Sequence, residues 1–295
     1  MTSNPSARRL CTIVMIALSA TCIASSVLLA HDFWLVPNGL AFASGSPLEV
    51  LGQSGTKFPT SDGATQPAQV AEARIVSASG DERITDLSVN GKSLVLRHKP
   101  ARAGQNIVAV ALTSRTARTT PDRLKRYLAL EGALELAERY DHDGAFPKMD
   151  SVTQVSAKYA KMIVQIGMNG PRAFDKVLGH SLEIVPLQDP ERLRVGDTLS
   201  VRLLFHGKPV GNVHLRAGSA PAGAVIADSS ARAAMTARPD QSIVTGANGV
   251  AKLSIGESGL WNVRVLYAES MRGMPEHWES YFATLVFSVG GAGTR

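Results

Sequence analysis

Residues 93–112, SLVLRHKPARAGQNIVAVAL, decide how the chain is read. Two apolar runs, 93–98 (SLVLRH) and 105–112 (QNIVAVAL), flank a polar connection holding Pro100 and Gly104. Each run is short, rich in β-branched residues and bounded by turn formers, so each reads as a strand. Toward the N-terminus the pattern repeats at 83–88, 70–77 (VAEARIVS), 48–53 (LEVLGQ) and 33–36 (FWLV). A spacing of about ten residues with Gly, Asn or Pro between runs is the mark of an all-β sandwich. Residues 54–66 make a polar loop whose only bulky point is Phe58-Pro59.

Toward the C-terminus the period changes. Thr120-Pro121-Asp122 offers an N-cap, a proline at the first helical position and an early acid. Leu124, Tyr127, Leu128, Leu134 and Ala137 then form an apolar stripe, predicting a helix over about 121–140 that ends at Asp141-His142-Asp143-Gly144. A strand at 155–166 closes this half, and Gly179 to Gly196 reads as a hinge carrying a strand at 182–186. Strands follow at 198–205, 212–217, 250–255, 260–268 and 280–289, with a small-residue loop at 217–237 and an Asn248-Gly249 turn. Trp261 and Tyr281 are expected in the core as aromatic anchors. The expected fold is mainly β: two immunoglobulin-like β-sandwich domains, 31–180 with one helical insertion and 181–289, then a tail at 290–295.

Residues 1–30 read as an export signal. Arg8 and Arg9 precede an apolar run from Leu10 to small residues ending at Ala30. The run is also long enough to serve as an uncleaved N-terminal anchor facing the periplasm. Cleavage after Ala30 exposes His31; Ala24 and Ser26 are alternative sites. No later segment is apolar for long enough to predict a membrane span in the mature chain. The expected location is the periplasm.

Both cysteines, Cys11 and Cys22, fall inside this leader, so the mature chain forms no disulfide. Of the 31 basic residues 29 remain without Arg8 and Arg9, against 25 acidic, a net +4 that argues against nucleic-acid binding. The densest basic group, Arg115, Arg118, Arg123, Lys125 and Arg126, reads as solvated surface. No nucleophile elbow, zincin, phosphate-loop or cysteine-based motif occurs, and no aromatic-studded carbohydrate face is visible. His98, His142, His180, His206, His214 and His277 are scattered singly.

His31 differs in kind. As a mature N-terminus it offers an α-amine and an imidazole on one residue, a chelate for a divalent metal whose donors deprotonate near neutral pH. Nitrogen donors suit nickel, cobalt, copper and zinc. Asp32 is the nearest oxygen donor. His142, between Asp141 and Asp143, is the candidate for a second imidazole.

His31-Asp32-Phe33-Trp34-Leu35 with Pro37, placed after a signal, resembles the start of a periplasmic family of unknown function. That family is labelled the periplasmic component of a cobalt/nickel ABC-type transport system. The similarity continues through Tyr127-Leu128 with Glu131-Gly132, Tyr159-Ala160-Lys161, and Leu182 to Pro186 with Asp189-Pro190. It resumes at Gly207-Lys208-Pro209, Asn248-Gly249, Gly259-Leu260-Trp261 and Glu279 to Leu285. The chain departs from the family in having Asp32 where glutamate is common.

The resemblance implies delivery of nickel or cobalt to an inner-membrane importer, and the expected function is that of a non-enzymatic metal-handling protein, with copper the alternative metal on ligand chemistry alone. The expected metal ligands are His31, Asp32 and His142. Two rival readings are a copper histidine-chelate oxidative enzyme and a metal-free adhesion or carbohydrate-binding module.

Overall fold

The structure is a computed structural model that describes residues 32–38, 42–133, 135–138, 150–220 and 240–290. Seventeen strands are assigned within them. The first half holds β1 (Asp32–Pro37), β2 (Leu48–Gly55), β3 (Val70–Ser77), β4 (Gly80–Arg83), β5 (Asp86–Asn90), β6 (Ser93–His98), β7 (Gly104–Leu112), β8 (Arg115–Thr119) and β9 (Val152–Ile166). The second half holds β10 (Leu182–Pro186), β11 (Thr198–Phe205), β12 (Lys208–Pro209), β13 (His214–Ala220), β14 (Gln241–Val244), β15 (Val250–Ser254), β16 (Gly259–Met271) and β17 (Met274–Val289). Among the described residues an α-helix, α1 (Pro121–Leu130), lies between β8 and β9, and 135–138 are helical again. The chain is mainly β, with sandwich packing and a helical insertion in its first half, as the sequence leads one to expect.

The strands form three sheets. One is ordered β1-β2-β6-β5, and another places β10, then β11, then β12 and β15 along β11's far edge. The central sheet runs β14-β13-β16-β17-β9-β7-β3-β4, with β8 also on β9. Its two halves meet where β17 pairs in parallel with β9, from His277↔Thr153 to Val286↔Met162. A crossover of this kind needs a long connection, here the whole of the second sandwich.

Alternation along the central strands loads both faces. Val108, Val110, Ala160, Met162, Val164 and Val286 pack with Trp34, Leu35 and Leu96 in one core. Their neighbours Ile107, Ala109, Ile163, Leu285 and Phe287 pack with Ile184, Leu199 and Leu203 in a second. Successive side chains of a strand point to opposite faces, so a strand apolar at every position belongs to a sheet covered on both sides. Sheet β1-β2-β6-β5 covers one face and the β10–β11 sheet the other. Helix α1 covers the rest of the first face, Leu124 and Leu128 packing on Leu266, Ala268, Trp278 and Phe282.

Several expectations shift. The helix ends at Leu130 rather than near 140, because Gly132 takes a left-handed φ of +91°. Ala133 N then donates to Leu128 O and Gly132 N to Ala129 O, satisfying carbonyls of the last turn. Residues 135–138 are helical again. The run 83–88 is divided between β4 and β5, and Arg115–Thr119, which holds two of the arginines read as solvated surface, is a strand with Arg115 and Arg118 exposed. Trp261 is buried in the second core, whereas Tyr281 is only half-buried. The hairpin between β16 and β17 extends well past Ala268. Among the described residues no helix is long and apolar enough to cross a membrane.

Candidate functional site

The first face of the central sheet is interrupted between the core under β1 and the core under α1. Asn262 and Arg264 on β16, Arg216 on β13 and Lys158 on β9 stand there, where Leu260 on one side and Leu266 on the other are apolar. Into this seam β1 delivers Asp32 at its first position, paired with Gly55, while Thr284 Oγ1 donates to Phe33 O at 2.8 Å. Asp32 is 8% exposed, and its Oδ2 receives Arg264 Nε at 3.0 Å. The same guanidinium donates through Nη2 to Asp240 Oδ2. Helix α1 brings Tyr127 and, at its C-cap, Glu131.

Arg216 Nη2 caps the helix by donating to Leu130 O at 2.6 Å, beneath Gly132, where a Cβ would stand 2.7 Å from Arg216 Nε. Lys158 Nζ lies over the Phe282 ring, 5.0 Å from its centroid, and Tyr127 packs edge-on to the same ring at 6.1 Å. Gln154 Nε2 donates to Ser280 Oγ at 2.9 Å at the floor.

Three carboxylates (Asp32, Glu131 and Asp240) and three cations (Lys158, Arg216 and Arg264) therefore share one partly dry space. Burial raises the Asp32 pKa above the usual carboxylate range, while Arg264, Lys158 and Arg216 oppose the rise. Burial first, then the Asp32 charge, pushes Glu131 up to about 7. Tyr127 is held well above its ordinary value by burial and by Glu131 and Asp32. Lys158 is lowered, burial outweighing the pull of Asp32 and Glu131. Two adjoining carboxylates that both resist ionisation form a site where an added positive charge is favoured.

Of the residues expected to bind metal, only Asp32 falls in the described set; His31 and His142 lie outside it. Asp32 Oδ2 is already engaged by Arg264. Among the described residues no three of His, Cys, Asp and Glu converge to hold a metal ion. The described donors alone do not make a metal centre.

Sequence reasoning missed Glu131, Lys158, Arg216, Asp240, Asn262 and Arg264. Asn262 and Arg264 alternate with Trp261, Val263 and Val265, a pattern that reads as an ordinary solvent-facing side of a strand. Nothing local announces that this side is covered.

A second polar group is buried on the opposite face. Lys161 Nζ and Glu183 Oε1 pair at 2.9 Å with side chains 3% and 1% exposed. Leu178 N and Gly179 N also donate to Glu183. His180 stacks on Tyr159 at 4.9 Å, and burial depresses its pKa to about 4. These contacts tie residues 172–180 to the sheet, and Arg74 Nη2 adds a bond to Leu178 O at 2.7 Å.

The fold and site define a two-sandwich β protein sharing one central sheet, with a buried charged seam at the start of its first strand. The profile of the family described as Domain of unknown function (DUF4198) matches residues 28–269, and the chain belongs to that family. Comparison with curated proteins gives no match. Among solved structures, the D0-D1 domain of Intimin is 15% identical, covering 87% of this chain and 97% of that one, with a TM-score of 0.20. The Escherichia coli adhesin FdeC is 13% identical over 87% of this chain and 63% of that one, with a TM-score of 0.21. A Salmonella alpha-2-macroglobulin mutant is 12% identical over 89% and 15%, with a TM-score of 0.23.

Proposed function

We propose that the protein is an exported, non-enzymatic binding protein that takes a divalent transition metal, nickel or cobalt, at its mature N-terminus and passes it to an inner-membrane importer. His31 chelates through its α-amine and imidazole. The observation that carries this reading is the acid pair in the seam. Asp32, bonded to His31, and Glu131 both have raised pKa values, Glu131 to about 7. A metal ion arriving there stabilises both as carboxylates. Asp32 fixes the start of β1, with its Oδ2 on Arg264.

The test is nickel titration of the mature chain against a form carrying one extra glycine before His31. The extension converts the amine to an amide, and affinity is expected to fall at least about tenfold. Equal affinity of the two forms contradicts the chelate.

A second reading, a carbohydrate-binding module, has one observation in its favour. Below the β10–β11 sheet the second face carries half-buried Tyr267 and Tyr281, directly opposite each other and both packed on Phe205 at 4.6 and 5.0 Å. Glu269 and Glu279 stand opposite each other alongside. This aromatic group is not legible in the sequence, because its members come from different strands. Loss of oligosaccharide binding in Tyr281→Ala, with metal binding unchanged, would favour it.

A further inference from the structure

Asn262 is fully buried, and neither Nδ2 nor Oδ1 has a hydrogen-bond partner. Arg264, two residues along the same face of β16, is 6% exposed; its Nη1 is likewise unpartnered, while Nε holds Asp32 and Nη2 holds Asp240. Buried polar atoms are nearly always paired, because leaving one unpaired costs about 1–3 kcal/mol. Two donors and one acceptor left open side by side are a complementary half of something.

The neighbouring strand indicates what. Gly218 pairs with Asn262 across β13 and β16, and a Cβ there would collide with Asp240 Oδ1. The missing side chain makes room for a carboxylate, which Asp240 supplies from just before β14 while its own side chain stays 28% exposed. A carboxylate therefore already sits beside Arg264, on a residue that reaches solvent.

We infer that Asn262, Arg264 and the bare backbone of Gly218 form a receptor for the carboxylate of a small α-hydroxy- or α-amino-carboxylate, with Asp240 occupying it as an internal placeholder. The ligand's carboxylate takes Arg264 and Asn262 Nδ2, and its α-hydroxyl or α-ammonium donates to Asn262 Oδ1. Such molecules chelate divalent metals through the same carboxylate and α-group, so the ligand here is the co-ligand of the bound metal. That last link rests on the function proposed above; the receptor does not. Charge balance favours it: a bare divalent ion added to three acids and three bases leaves the seam positive, and an anionic co-ligand offsets the excess.

The test uses the metal-free mature chain, with calorimetry and thermal unfolding in citrate, in L-histidine, and in tricarballylate, which is citrate without its hydroxyl. Citrate or L-histidine should bind and tricarballylate should bind at least about tenfold more weakly, which of the first two binds better identifying the α-group. Asp240→Ala removes the competing carboxylate and should raise the affinity several-fold. Asn262→Leu should abolish binding while raising the melting temperature of the free protein, since it removes buried unpaired groups. Equal binding of citrate and tricarballylate, weaker binding in Asp240→Ala, or undiminished binding in Asn262→Leu overturns the receptor. Adding nickel separates the two ideas. Failure of nickel to bind under any condition removes the metal reading and leaves a carboxylate receptor; nickel affinity unaffected by co-ligand removes the co-ligand role.

Discussion

Lys161 and Glu183 pair on the second face with almost no solvent access, and His180 lies beside them with its pKa depressed to about 4. Replacing Glu183 by Gln strands a buried ammonium, and a loss of about 3–5 kcal/mol in denaturant unfolding is expected. Replacing both, as Lys161→Met with Glu183→Leu, should recover most of it. His180 sets a pH dependence. Its folded value of about 4 lies below the ordinary 6.5, so between those values the unfolded chain binds more protons. Stability should therefore fall as pH drops through that window, by up to about 3 kcal/mol, and be unaffected by this group above it. Unfolding titrations of His180→Phe, flatter across the window, check it. The sequence shows Lys161 inside an apolar strand, but its partner is 22 residues away across the hinge. A pair made by tertiary contact leaves no local spacing to read.

Helix α1 shows which signals are local. Thr120, Pro121 and the apolar stripe are all visible in the chain, and the helix starts where they place it, Thr120 Oγ1 accepting from Arg123 N. Its end depends on Gly132, whose φ of +91° and contact with Arg216 are tertiary facts. Gly132→Ala should cost about 1–3 kcal/mol through backbone strain and crowding. It should also loosen Arg216 from Leu130 O and weaken metal binding at the seam, readable by calorimetry beside a melting curve. Strands β6, β10 and β11 match the runs that predict them, because turn residues bound them on both sides. Strand β8 was missed: Arg-Thr-Ala-Arg-Thr has no apolar face of its own and exists by pairing with β9.

At the scale of the molecule, sandwich packing follows from composition and spacing, but the sharing of one sheet does not. Parallel pairing of β9 with β17 is a contact of very long range, and sequence periodicity is blind to it. Both cores draw on that sheet: Ile107 and Ile163 of the first half lie in the core of the second, and Leu260 and Val286 of the second lie in the core of the first. A chain ending at residue 180 should therefore fail to fold, giving poor NMR dispersion and no cooperative melt, whereas the whole chain should unfold in one transition. The charged seam exists only because both halves contribute: Asp32, Glu131 and Lys158 from one, Arg216, Asp240, Asn262 and Arg264 from the other. That is why the sequence shows Asp32 only as the neighbour of an unusual residue and conceals the seam that holds its carboxylate. The most direct measurement is native mass spectrometry of the protein taken from the periplasm without chelators. The account predicts a chain beginning at His31 and carrying one nickel or cobalt ion, lost in His31→Ala. A chain beginning elsewhere, or correctly processed protein that acquires neither metal when both are supplied, contradicts it.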